Sequence, residues 1–148
     1  MSSPHIHIQF VKDAVDIQVA STLPQFGCGG ECIFIGRTRP ESNSTYGDLI
    51  ALNYDCYIEL AQQELFLITK EVTDRFAVRY IQIHHSIGKV AIGEASVVIA
   101  VGSKHRGESF LACRYLIDTL KQQVAIWKQE LWTGGDTWSK GTPLQIQA

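Results

Sequence analysis

Lys121 and Lys128 stand seven positions apart in the stretch YLIDTLKQQVAIWKQELW, residues 115–132, with apolar residues including Trp127 between them. Two long cations around so oily a segment suit an anion held in an apolar cleft. A lysine against apolar walls can have its pKa lowered by desolvation and neighbouring cations and become a usable base or nucleophile. A lysine that stays charged can instead bind an anionic group or a developing oxyanion. Two further clusters are cationic: Arg37 and Arg39 in FIGRTR, and Lys104, His105 and Arg106 in GSKHRGES; the three clusters hold six of the 13 Lys and Arg residues. Paired guanidiniums grip a phosphate or carboxylate with bidentate geometry. GSKHRGES lies between a hydrophobic run and a helical pattern, so backbone N–H groups and the helix dipole favour an anion there. Each cluster taken alone reads first as solvated surface charge, and Ser103 reads equally as a helix cap. No Walker pattern or GxGxxG supports a nucleotide loop, and no Ser/His/Asp order or paired-carboxylate spacing stands out as a rival.

Two geometries are open to the lysines. A continuous helix would bring them to within ~20° of one face and ~10 Å along the axis. If the helix ends near Gln123 and a strand starts at Ile126, Lys121 sits on the last turn and Lys128 shares a strand face with Glu130. Trp127, Gln129 and Leu131 then turn to the core. The second geometry is preferred, because Trp132 and Trp138 flank a tight turn, in which Gly134 and Gly135 can supply the positive φ of a hairpin, and that hairpin needs its first strand.

The remaining elements follow from periodicity. HIHIQFV, residues 5–11, alternates as a half-buried strand, and a short helix is expected over 13–22, ended by Pro24. A buried strand runs from about Glu31 to Arg37. PESNSTYGD, residues 40–48, reads as an exposed loop. LIALNYDCY is a strand with Leu49, Ala51, Asn53, Asp55 and Tyr57 on one face and Ile50, Leu52, Tyr54 and Cys56 on the other. Residues 58–76 carry helical spacing; VRYIQIHHSIG and EASVVIAVGS read as strands; HRGESFLACRYLIDTLKQQ is a second long helix. The order predicts an α+β fold, two long helices covering a largely antiparallel sheet that ends in a C-terminal hairpin.

At 148 residues, 45% of them hydrophobic and 19% charged, the chain is expected to fold as one domain over 1–148. The net charge of −2 gives no global field toward nucleic acid or an anionic membrane, so an anion site must be local. No signal-peptide pattern or ~20-residue apolar run is present, which makes the cytoplasm the expected compartment. Cys28, Cys32, Cys56 and Cys113 read as free thiols in a chain with this much core. Cys28 and Cys32, with His84 and His85, make a poor zinc set: a second Cys pair is missing and Cys32 opens a buried strand. No metal and no cofactor is expected.

CIFIGRTR, GSKHRGESFLACRYLIDTLKQQVAIWKQE and GDTWSKG together resemble the large, catalytic subunit of molybdopterin synthase over about residues 5–141. The likeness lies in order and spacing: F-x-G-x-x-R, a strand leading to S-x-H-R, then a helix ending in L-K with W-K seven residues later. It implies an α/β hammerhead fold and a homodimer that binds two copies of a small ubiquitin-like sulfur carrier, a heterotetramer. It further implies that the carrier's C-terminal Gly-Gly thiocarboxylate donates sulfur to cyclic pyranopterin monophosphate. By the same resemblance, Lys121 and Lys128 are catalytic, and Arg37, Thr38, Arg39, His105, Arg106, Gln129 and Glu130 join them in binding substrate. The family commonly has proline where this chain has Ala125. The loop after Arg39 and the tail TPLQIQA match poorly, and Lys140 is a candidate there for a residue lent to a neighbouring subunit. Two alternatives stand beside this reading. One is a non-catalytic module for a phosphorylated ligand or single-stranded RNA, with Trp127, Trp132 and Trp138 stacking on bases and a steep salt dependence. The other is a dimeric scaffold that has lost activity.

Overall fold

The computed structural model describes residues 3–22 and 27–139; Pro24, Lys140 and the tail TPLQIQA lie outside them. Strand β1 (His5–Lys12) is followed by a 3-10 turn (Ile17–Thr22), β2 (Gly30–Arg37), β3 (Ser42–Asn43) and β4 (Gly47–Cys56). Helix α1 (Ile58–Arg75), β5 (Val78–Ala91), β6 (Ala95–Ser103), α2 (Arg106–Gln123), β7 (Ile126–Trp132) and β8 (Gly135–Trp138) complete the order. The strands form one sheet in the order β2-β6-β5-β4-β7-β8, with β1 beside β5 and β3 beside β4. Every ladder between named strands is antiparallel except β1 with β5, so the α+β arrangement and the largely antiparallel sheet are as expected. The 14 residues of β5 let one edge serve two partners: β1 pairs along Tyr80–Ile87 and β4 takes Gly88–Ala91.

Both helices cover one face of the sheet. On α1, Ala61, Leu65, Ile68 and Val72 recur at helical spacing and are buried, and on α2 Ala112, Leu116 and Leu120 do the same. They close on Ile81, Ile83, Val97, Ile99 and Val101 of β5 and β6. Each large aliphatic side chain buried this way contributes about 1.5–3 kcal/mol. All nine residues of β6 are buried, as befits a strand with neighbours on both sides and cover on both faces.

Several local expectations need correcting. The helix over 13–22 shrinks to its second half because the first residues are pinned to the sheet: Asp13 N–H donates to Ile87 O at 2.8 Å and Val15 N–H to Ala95 O at 2.9 Å. The loop over 40–48 contains a small hairpin, in which Asn43 Oδ1 accepts from the N–H groups of Thr45 (2.8 Å) and Tyr46 (3.1 Å) in an Asx turn. On β4 a register shift between Leu49 and Ala51 carries Leu49 to the side of Leu52 and Tyr54. Of the two hairpin glycines only Gly135 takes positive φ, at 151°. Gly134 is needed for closeness: its N–H donates to Tyr46 O at 2.8 Å, and a Cβ there would sit 3.0 Å from that oxygen.

Candidate active site

The chain turns from α2 into β7 at a corner that places both lysines. Val124 leaves the helix with φ −87° and ψ 130° while its N–H still reaches Leu120 O at 3.1 Å. Ala125 N–H donates to Glu64 Oε1 on α1 at 3.1 Å, and Ile126 N–H donates to Val124 O at 2.9 Å as β7 begins. The second of the two geometries is therefore the one adopted: Lys121 stands on the last helical turn and Lys128 on a strand. A carboxylate on the neighbouring helix holds the corner. It uses an N–H that proline would lack.

Lys121 and Lys128 line one cleft of about 690 Å³, together with Arg37, Arg39, Glu41, Tyr54, His85 and Glu130. Its apolar wall is built from Phe34, Val97, Ile117, Leu120 and Ile126. Lys128 lies directly across the sheet from Tyr54. The Tyr54 ring meets His85 edge-on, with centroids 5.3 Å apart and planes at 85°. Tyr54 of β4 and His85 of β5 thus form the floor between a lysine of β7 and a lysine of α2. Arg37 Nη1 donates to Gly93 O at 2.8 Å, which fixes that guanidinium at the rim. Arg39 Nε lies 3.3 Å from Glu41 Oε1, an exposed pair worth little, so its guanidinium is cheaply released to a ligand. Glu130 Oε1 accepts from Thr137 Oγ1 at 3.1 Å. A groove of about 760 Å³ between β1 and α1, lined by Ile6, Ile8, Phe66 and Leu67 among others, contains no Lys, Arg or His and offers no comparable chemistry.

Not every expected residue reaches the cleft. Thr38 is buried with its hydroxyl donating to Val90 O at 3.2 Å, because an irregularity between Gly36 and Arg37 turns it inward. Gln129 is on the opposite face of β7, where its Oε1 accepts from Asn53 Nδ2 at 3.2 Å. Trp127 is on that face too, edge-on to Tyr57, and is half-buried rather than in the core. His105 and Arg106 open α2, whereas Lys121 closes it; sixteen positions at 1.5 Å per residue separate them by ~24 Å. Within one chain they do not share a cleft. His105 is the helix N-cap and makes no side-chain cap bond. Ser103 does not cap either, since its hydroxyl donates to His105 O.

Burial also sets the protonation of the cleft floor. It pushes the His85 imidazole down to about 4 against the partial support of a hydrogen bond to Ser86 O, and the Lys121 charge adds to the depression. Burial raises Tyr54, partly offset by its hydrogen bond with Ser96. Both groups are therefore neutral near pH 7. An apolar-walled cleft with a neutral floor and four cations, two of them arginines, is suited to a flat ligand carrying phosphate or carboxylate.

A family model described as MoaE protein matches residues 9–123. The molybdopterin synthase catalytic subunit of Homo sapiens is 39% identical over 111 residues, covering 75% of this chain and 58% of that protein. The subunit of the same name from Pyrococcus abyssi is 36% identical over 137 residues, covering 90% of this chain and 91% of its own. The chain thus spans under two thirds of the human relative and nearly all of the Pyrococcus one. The X-ray structure of molybdopterin synthase from Staphylococcus aureus superposes with a TM-score of 0.76 at 28% identity, covering 95% of this chain and 98% of that one. The matched sequence includes Arg37, Arg39 and Lys121, and the matched fold includes the sheet that carries Lys128: the chain belongs to the MoaE protein family.

Proposed function

We propose that the chain is the catalytic subunit of a molybdopterin synthase, a sulfurtransferase that converts cyclic pyranopterin monophosphate to molybdopterin. The sulfur comes from the C-terminal thiocarboxylate of a small ubiquitin-like carrier ending in Gly-Gly. The observation that carries this reading is the convergence of Lys121 and Lys128 from two different elements on one apolar-walled cleft with Arg37 and Arg39. A thiocarboxylate and a phosphorylated pterin are both anionic, and the cleft holds cations enough for each. Lys121 contacts the carrier terminus and assists transfer: its deprotonated amine attacks the thiocarboxylate carbon, the C–S bond breaks as sulfur leaves for the pterin, and water then hydrolyses the transient amide, which frees Lys121 and leaves the carrier with a spent carboxylate. Lys128, Arg37 and Arg39 hold the pterin and its phosphate, with Glu130 at the edge.

The ~24 Å between Lys121 and the His105–Arg106 pair supports a homodimer in which a second copy brings its own helix start to the cleft. With one carrier per copy the assembly is a heterotetramer, and the relatives' designation as a catalytic subunit is consistent with a further chain. No helix among the described residues is long and apolar enough to cross a membrane, and the cytoplasm is the proposed compartment.

The test is reconstitution. Purified protein mixed with thiocarboxylated carrier and cyclic pyranopterin monophosphate should yield molybdopterin, and Lys121→Ala should abolish product while its thermal melt stays near that of the parent. Absence of product with a competent carrier would move the assignment to a binding module. Near-normal turnover by Lys121→Ala would remove the lysine from the chemistry.

A further inference from the structure

We propose that His85 is the specificity residue of the cleft, its Nε2 lone pair accepting a hydrogen bond from a ring N–H of a heterocyclic ligand whose anionic end is held by the surrounding cations. The inference rests on the synthase reading for the identity of that ligand, since a reduced pterin presents ring N–H donors.

Three observations carry it. The imidazole is fixed: Nδ1 lies 2.8 Å from Ser86 O, and a carbonyl can only accept, so Nδ1 bears the proton. Tyr54 stands edge-on at 5.3 Å and Phe10 lies at 6.2 Å, leaving the ring little freedom to flip. Secondly, Nε2 has no hydrogen-bond partner among the described residues. Among the described residues, the buried side-chain atoms sealed from solvent without a partner are His84 Nδ1 and Ser86 Oγ, and Nε2 is not one of them. Since the residue is 5% exposed and lines the cleft, the cleft is where that lone pair opens. Thirdly, the charged neighbours cannot play this part. Lys121, Lys128, Arg37 and Arg39 can only donate, and the acceptors Glu41 and Glu130 are carboxylates, whose charge opposes an anionic ligand. A neutral acceptor in the floor adds what the cations cannot: preference for a ligand with an N–H edge over a bare phosphate. Its low proton affinity, set by burial and by Lys121, keeps Nε2 an acceptor across the physiological range.

Glutamine can place its Oε1 near the Nε2 position, whereas asparagine is too short to do so, which gives a matched pair of polar replacements. Binding of cyclic pyranopterin monophosphate and of inorganic pyrophosphate to the whole protein should be measured for each. His85→Asn should weaken pyranopterin about tenfold, the order expected for one lost hydrogen bond in a site built to make it, with pyrophosphate unchanged. His85→Gln should recover most of that loss. In the parent protein, the 15N resonance of His85 Nε2 should move on addition of pyranopterin and stay in place with pyrophosphate. Equal binding by parent and His85→Asn, equal losses for both ligands, or an unmoved Nε2 resonance overturns the role of His85 while leaving the synthase reading intact. Failure of the parent itself to bind pyranopterin while it binds pyrophosphate overturns both.

Discussion

The residues that carry charge into the cleft are visible by type alone. Lys121, Lys128, Arg37 and Arg39 stand out in a chain of net charge −2, and all four line it. The neutral floor is less legible. VRYIQIHHSIG alternates imperfectly, so nothing local says whether His84 or His85 faces the helices; pairing with β6, which sets His85 opposite Val97, decides it. The buried imidazole leaves a measurable trace in stability. Its proton affinity falls from 6.5 in the unfolded chain to about 4 in the fold, so the unfolded state binds the extra proton between those values. The stabilisation from this group is complete above pH 6.5, is lost as pH falls toward 4, and changes no further below that. The shift corresponds to about 3 kcal/mol. Thermal melts of the parent should therefore drop more steeply from pH 6.5 to 4 than those of His85→Gln. Parallel acid limbs in the two proteins would show that the fold leaves the proton affinity of His85 where it is in the unfolded chain.

The break between α2 and β7 is an element-scale feature that composition only half reveals. The need for a first hairpin strand places it correctly near residue 124, but what holds it is Glu64, sixty-one positions away on α1, and no local pattern announces that pairing. The same is true of Gly134, whose requirement comes from the neighbouring β3–β4 turn. A hydrogen bond to a carboxylate contributes about 1.5–3 kcal/mol, so Glu64→Ala should lower the melting temperature and, by loosening the corner, raise the KM for the pterin more than it lowers kcat. Proline at 125 has no N–H to offer, so the Glu64→Ala penalty should largely vanish when measured in an Ala125→Pro background. A double-mutant cycle that finds the two changes additive would detach Glu64 from the corner.

At the scale of the molecule, the element order is readable from periodicity, whereas the sheet order is not. The placement of β1 beside β5 depends on the length of β5, which exposes more edge than β4 can occupy. Sheet and helices together fix a distance that the motifs alone conceal. S-x-H-R and L-K lie close in sequence, yet α2 holds them at opposite ends as a rigid rod of 18 residues. If both serve one reaction, a second copy must supply one of them. This can be tested by complementation. In a two-fold dimer, a chain bearing Lys121→Ala paired with one bearing Arg106→Ala has one cleft that lacks both residues and one that lacks neither. Random mixing of two individually inactive proteins should then restore about a quarter of parental turnover, because half the dimers are mixed and each carries one intact cleft. If Lys121 and Arg106 act within a single chain, every cleft in the mixture lacks one of them, and activity stays at the level of the separate variants.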